Sequence, residues 1–239
     1  MIQIFKDKKG LSKAAADIFV QTANEAIADK GIFFVALTGG SSPEILYKML
    51  AEPLYLDQVD WKKVWIFWGD ERWVPPDDKR SNAGMAFKLL LDHVSIPQNQ
   101  IFVMWDKDQE PEEFALTYQK FIEQKMGKPP EFDLILLGMG EDGHTASLFP
   151  ETEVLKERSK MVSAYYLKDQ NKYRITLTAP IINLSKKIVF LVFGSNKAHA
   201  LREVLEGEYN PDKYPAQLIK PIQGQIVWLV DKAAAQYLP

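Results

Sequence analysis

"FDLILLGMGEDGHTASLFP", residues 132–150, passes in one step from an unbroken apolar run to glycine, acid and a single histidine. Apolar residues that alternate with polar ones mark a strand with one wet face. A continuous run such as Leu134–Ile135–Leu136–Leu137 marks a strand covered on both faces, as in a parallel sheet. The glycines at 138, 140 and 143 lose more backbone freedom on folding than other residues would. A turn built from them has to serve something: a tight loop, an anion or a reacting centre.

Four more runs share this character: "IFFVALT" (32–38), "VWIFWG" (64–69), "KIVFLVFG" (187–194) and "IVWLVD" (226–231), with "IFVM" (101–104) a shorter candidate. Amphipathic stretches of helical length separate them. In "LSKAAADIFVQTANEAIADKG" (11–31), Ser12 is placed to cap and Gly31 to end a helix. "SNAGMAFKLLLDHV" (81–94) starts at a capping candidate, Ser81. "EPEEFALTYQKFIEQKMG" (110–127) has acids in its first turn and Gly127 at its end. Strands alternating with helices predict an α/β chain: a three-layer α/β/α sandwich around a doubly wound, mostly parallel, Rossmann-like sheet. No composition break marks a boundary, so residues 1–239 read as one domain.

The chain has 239 residues, 46% of them hydrophobic, enough to bury a sizeable core. A formal charge of −3 and a pI near 5.7 argue against bulk attraction to nucleic acid or anionic lipid. The absence of cysteine excludes disulfides, thiol nucleophiles and cysteine-ligated zinc. The start, "MIQIFKDKKG", lacks the apolar core of a signal peptide, and no run reaches the roughly 18–20 apolar residues of a membrane helix. The expectation is a cytoplasmic protein with no membrane, nucleic-acid or obligate protein partner.

The unusual residues follow the strands. In open α/β sheets, ligands sit in the crevice beyond the carboxyl ends of the strands, so four motifs at four such ends are expected to converge. "TGGSSP" (38–43) combines Gly39 and Gly40 for a sharp turn, Ser41 and Ser42 for hydroxyls, and Pro43 for the first helical position. It reads either as an anion cradle of free N–H groups or as an ordinary capped turn. It lacks the Gly-Lys-Ser/Thr of a Walker loop and the last glycine of G-x-S-x-G. "GSNKA" (194–198) places Lys197 near the start of another helix. "YRITLT" (173–178) places Arg174 in a strand, facing solvent or offering a bidentate fork to a phosphate.

His93 and His199 sit in helical contexts that suit packed or surface histidines. His144 stands in the glycine-rich loop, two residues after Asp142. Imidazole titrates near neutrality, so it can take a proton from water and return one to a leaving group, with a nearby carboxylate to orient it. The competing reading is a histidine capping the helix that follows. In "WGDERWVPP" (68–76), Asp70, Glu71 and Arg72 end a strand, and alternation sends only some of them toward the crevice. Asp77 and Asp78 read as a solvated loop. No second histidine stands at ligand spacing, so no metal is expected.

Taken together, "LTGGSSP" (37–43), "WGDERWVPPDDKRSN" (68–82), "LLGMGEDGHTASLFP" (136–150), "YRITLT" and "GSNKA" resemble the 6-phosphogluconolactonases, within the larger group that includes the glucosamine-6-phosphate deaminases. The resemblance implies hydrolysis of 6-phospho-D-glucono-1,5-lactone, a sugar-phosphate lactone, to 6-phosphogluconate, the second step of the oxidative pentose phosphate pathway. It implies no organic cofactor and no required metal. It also assigns His144 as general base, Asp70 and Arg72 as the acid-and-arginine pair, and Arg174 and Lys197 as phosphate ligands; the amides near Gly40–Ser42 are expected to hold the phosphate with them. The deaminases carry Asn-Glu-Pro after the histidine loop, where this chain has Leu148, Phe149 and Pro150. Losing that glutamate favours the lactonase. A covalent serine hydrolase using Ser41, Asp70 and His144 is a rival reading, and a non-enzymatic sugar-phosphate sensor another.

Overall fold

The computed structural model describes residues 1–239. Its strands are β1 (Ile2–Phe5), β2 (Phe33–Leu37), β3 (Val64–Trp68), β4 (Asp70–Arg72), β5 (Leu134–Gly138), β6 (Val162–Leu167), β7 (Lys172–Leu177), β8 (Lys187–Val192) and β9 (Gln225–Asp231). The helices are α1 (Lys8–Lys30), α2 (Glu44–Leu50), α3 (Pro53–Leu56), α4 (Asn82–Leu89), α5 (Pro111–Met126), α6 (Ala179–Asn183) and α7 (Ala198–Glu206). Six strands form a parallel sheet in the order β1-β9-β8-β5-β2-β3. From β2 the chain steps outward to β3, then returns to β5 on the other side and continues to β8 and β9. Right-handed crossovers in two directions put the connecting helices on opposite faces, giving the doubly wound α/β/α arrangement.

The expected apolar runs form the middle of this sheet. All five residues of β2 are buried, as the absence of alternation implied. In α1, Leu11, Ala15, Phe19, Ala23 and Ala26 recur at three- and four-residue spacing and pack into a contiguous core of 63 buried residues. Burying each large apolar side chain contributes about 1.5–3 kcal/mol. Ser81 caps α4 by accepting from the Gly84 N–H at 3.0 Å, and Gly31 and Gly127 follow the last turns of α1 and α5.

Four local expectations are corrected. Asp7, not Ser12, caps α1: its Oδ1 accepts from the Gly10 N–H at 2.9 Å, while Ser12 lies buried a turn inside the helix. Aspartate caps as well as serine, and the strand that delivers it, β1, is a four-residue edge strand too short and too exposed to show a run. Pro43 stands at the N-cap of α2, one residue earlier than expected. "IFVM" is not a strand: only Ile101 bridges Ile66. Its apolar character serves an aromatic stack, with Phe102 between Trp65 and Phe67 at 5.8 and 4.9 Å. Finally, Asp70–Arg72 do not end the buried strand Val64–Trp68: they form β4, which leaves the parallel sheet for a three-stranded antiparallel one of order β4-β7-β6, where Arg174 stands in β7.

Gly69 joins the two sheets. Its N–H donates to Leu37 of β2 and its carbonyl accepts from Leu177 of β7, both at 2.8 Å. Buried Asp133 fixes the register of β5 beside β2: it accepts from the Phe34 N–H at 2.9 Å and pairs with Lys30 at 2.9 Å. The Tyr47 hydroxyl donates to the Thr38 carbonyl at 2.7 Å and accepts from its N–H at 3.1 Å, ending β2 where the glycine pair begins.

Candidate active site

The chain reverses direction across the sheet between β2 and β5, and a crevice opens at their carboxyl ends, where such folds hold ligands. It is a cavity of about 300 Å³. The loop after β2 (Thr38–Ser42), the loop after β5 (Gly138–Gly140 and His144), Asp70 and Arg72 of β4, Arg174 of β7 and Lys197 after β8 all line it. The convergence read from four strand ends is therefore present.

The small sheet orients the acid-and-arginine pair. β4 and β7 run antiparallel with Asp70 opposite Thr176 and Arg72 opposite Arg174. Side chains two apart share a face, so Asp70, Arg72 and Arg174 turn to the cavity and Glu71 turns away. Glu71 is buried and accepts from the Ser81 hydroxyl at 2.9 Å and from the Asn82 and Ala83 N–H groups at 2.8 Å each, at the start of α4. Burial raises its pKa, and these donors oppose that shift. Asp70 accepts from the Ser147 hydroxyl at 2.6 Å and from the Asn82 amide at 3.3 Å. Both guanidiniums donate to neutral oxygens: Arg72 to the Arg80 carbonyl at 2.7 Å, Arg174 to the Gln170 side chain. Each also has a buried Nε with no protein partner. Burial lowers the pKa of Arg174, with Asp70 opposing and Arg72 reinforcing that shift. Two arginines on opposite positions of the ladder, both lining the cavity and short of acceptors, form a site suited to an anion.

In the histidine loop, the imidazole Nδ1 of His144 lies 2.5 Å from Asp142 Oδ1. That contact sets Nδ1 as the protonated nitrogen and leaves Nε2 as the acceptor. Burial raises the pKa of Asp142, but the hydrogen bonds and charge of His144 outweigh it and hold the carboxyl below its ordinary value. The ring stacks on Phe149, centroids 4.1 Å apart, and the Arg174 guanidinium sits 5.5 Å from the centre of that same Phe149 ring. Gly140 makes the arrangement possible: a Cβ there would lie 2.0 Å from Nδ1 and 2.4 Å from Asp142 Oδ1. No helix follows His144, so the helix-capping alternative falls. Thr145 and Leu148 instead close a short bridged turn. Asp142 itself stays outside the cavity, on the wall of a neighbouring groove, and reaches the site only through His144.

In the glycine-serine loop, the N–H groups of Gly40, Ser41 and Ser42 make no hydrogen bond within the protein. Gly39 lies flat against Asn82, whose Oδ1 would be 1.8 Å from a Cβ at that position. His93 and His199 lie outside the cavity, and Asp78 pairs with Arg80 at 2.5 Å on the surface. No cluster of three or more His, Cys, Asp or Glu side chains is arranged to hold a metal ion. Sequence reasoning missed Asn82, Ser147, Phe149 and Gln170 as parts of the site. In the sequence, Asn82 is only the residue after a helix cap. Ser147 and Phe149 lay in the quoted loop without a signal separating them from packing residues.

The glucosamine-6-phosphate isomerase/6-phosphogluconolactonase family model matches residues 6–228. A 6-phosphogluconolactonase of Synechocystis is 39% identical over 241 residues, covering 99% of this chain and 98% of that protein. One from Haemophilus influenzae is 40% identical over 206 residues, covering 85% and 87%. The solved 6-phosphogluconolactonase of Trypanosoma brucei superposes with a TM-score of 0.84 at 25% identity, covering 100% of this chain and 98% of that one. A monomeric glucosamine-6-phosphate deaminase shares the fold, with a TM-score of 0.85 at 23% identity and 98% coverage of each chain. The chain belongs to the glucosamine-6-phosphate isomerase/6-phosphogluconolactonase family.

Proposed function

We propose that this chain hydrolyses 6-phospho-D-glucono-1,5-lactone to 6-phosphogluconate by histidine-assisted attack of water. The observation that carries the reading is one cavity holding both an oriented imidazole and two under-partnered arginines. The lactone's 6-phosphate is bound by Arg174, Lys197 and the free amides of Gly40–Ser42, with Arg72 near the reacting end. Binding energy from the non-reacting phosphate positions C1 beside His144.

His144 Nε2 takes a proton from water as the water oxygen bonds to C1, and the carbonyl electrons move onto oxygen. Arg72 and neighbouring N–H groups stabilise this oxyanion. Collapse re-forms the carbonyl and breaks the bond from C1 to the ring oxygen, which receives the proton from the imidazolium. Asp142 remains a carboxylate throughout and stabilises the charged ring. Asp70, fixed by Ser147 and Asn82, steadies the two arginines electrostatically. The imidazole's one protein hydrogen-bond partner is Asp142, and no serine hydroxyl bonds to it, which supports water rather than serine as the nucleophile. Buried Phe149 against the ring, in the place of the deaminases' glutamate, supports hydrolysis over isomerisation.

The proposal extends to one domain, residues 1–239, acting in the cytoplasm on a small sugar phosphate. No helix is long and apolar enough to cross a membrane. Hydrolysis of the 6-phospholactone, the unphosphorylated lactone and glucosamine 6-phosphate, measured side by side, tests it. The phospholactone is expected to be turned over far fastest once spontaneous hydrolysis is subtracted. Preferential turnover of glucosamine 6-phosphate would overturn the assignment.

A further inference from the structure

Lys8, the first residue of α1, does not line the cavity, yet it touches two of the segments that do. Its Nζ donates to the Ser41 carbonyl at 2.5 Å and lies 4.1 Å from the centre of the Phe193 ring. Ser41 belongs to the loop after β2. Phe193 opens the segment after β8 that ends at Lys197. We infer that Lys8 is a positioning residue that holds these two segments together so that they grip the substrate's phosphate as one unit. The inference rests on reading Gly40–Ser42 and Lys197 as the phosphate cradle.

The physical argument begins with the peptide plane. In a planar trans peptide the C=O and N–H point in opposite directions. A Ser41 carbonyl held toward Lys8 therefore turns the Ser42 N–H away from Lys8, and that N–H has no acceptor in the protein. The Lys8 bond thus fixes the rotation of the peptide whose amide is offered to the anion. The contact with Phe193 is a cation–π interaction, which keeps the ammonium over the ring while its hydrogen bond points at the other loop. The β8 segment is anchored elsewhere too: the Gly194 N–H donates to Asp231 Oδ1 at 3.0 Å, and the Asn196 amide donates to Glu141 at 2.6 Å. Lys8 adds the tie between this anchored segment and the glycine-serine loop. Its main-chain position is itself set by the Asp7 cap and by β1, which leads into α1.

Steady-state kinetics of Lys8→Met and Lys8→Arg on the phosphorylated and unphosphorylated lactones test this role. Methionine keeps an apolar stem and removes the donor and charge. Arginine keeps both and also stacks on aromatic rings. Lys8→Met is expected to raise KM for the phospholactone about tenfold with kcat within about twofold, because the lost interaction acts on binding. The unphosphorylated lactone is expected to show no change, and Lys8→Arg to recover most of the loss. Phe193→Leu, which removes the ring but keeps an apolar side chain, is expected to raise the same KM by a smaller factor, and it carries the test if Lys8→Met does not fold. An unchanged phospholactone KM in Lys8→Met, or in Phe193→Leu where that variant stands in, overturns the proposal. So do equal losses on both lactones that arginine does not restore. A wild-type enzyme that fails to discriminate between the lactones would instead remove the cradle reading, and the role of Lys8 with it.

Discussion

Arg72 and Arg174 stand directly opposite each other across the β4–β7 ladder, both lining the cavity and with guanidiniums hydrogen-bonded only to neutral oxygens. Like charges in this relation destabilise a sheet, and the phosphate proposed to bind Arg174 would offset that repulsion. Arg174→Ala is expected to weaken binding of the phosphorylated lactone by about 1.5–3 kcal/mol, the scale of a charged hydrogen bond. Residual activity on the unphosphorylated lactone should be nearly unaffected. Comparing kcat/KM on the two substrates checks this; equal losses would point to damage rather than phosphate recognition.

The His144–Asp142 contact predicts the chemistry. His144→Ala should lower the rate constant by roughly 100-fold or more while leaving the fold intact, the usual contribution of a positioned acid–base group. Circular dichroism and background-corrected lactone hydrolysis on the same preparation decide it. Near-full activity in a folded variant would sink the proposed base.

Gly140 offers a test that leaves the histidine in place. A methyl group there would collide with both Nδ1 and Asp142 Oδ1. Gly140→Ala should therefore displace the imidazole and lower kcat by about tenfold or more, since misplacing a catalytic group by about 1 Å can cost 100-fold. The proposed phosphate cradle lies on other loops, so the affinity for 6-phosphogluconate should hold. A kcat equal to wild type would show that the imidazole does not act from this position.

Ser41 and Ser42 separate water attack from an acyl-enzyme. A covalent nucleophile is indispensable, and its alanine variant should lose nearly all activity. In the proposed mechanism the serines act through backbone amides and at most one hydroxyl, so Ser41→Ala and Ser42→Ala should raise KM more than they lower kcat. Rapid-quench mass spectrometry should find no chain carrying a phosphogluconoyl group. An adduct on Ser41 that forms and decays at catalytic rates would overturn the water mechanism.

Glu157 predicts an acid-dependent part of the stability. Its Oε1 accepts from the Arg158, Ser159 and Lys160 N–H groups at 2.9, 2.8 and 3.0 Å. The Lys160 and Ser159 bonds lead in lowering its pKa from 4.5 to about 2. A carboxylate with a depressed folded-state pKa stabilises the fold fully above its unfolded value, and that contribution disappears as pH falls through the folded one. Glu157→Gln should thus lower the urea midpoint near neutral pH, and the gap from wild type should close between about pH 4.5 and 2. Solvent exposure keeps the effect small. A gap that stays constant over that range would contradict it.

The sequence by itself determined the central strands, the helices between them and the rule that chemistry gathers at the strands' carboxyl ends. These features are local: a buried strand needs a continuous apolar run, and a helix end needs a cap or a glycine. Strand alternation even predicted that Asp70, Glu71 and Arg72 could not all face the crevice. Only the tertiary structure decided that β4 leaves the parallel sheet to pair with β7, because the partner of a three-residue strand lies about a hundred residues away and leaves no local period. That pairing sets Arg174 opposite Arg72 rather than in solvent. The structure alone likewise placed Ser147 and Asn82 on Asp70, Phe149 under His144, and Lys8 between two loops. Each is an ordinary residue type whose role comes from contacts distant in sequence, and spacing along the chain carries no record of them.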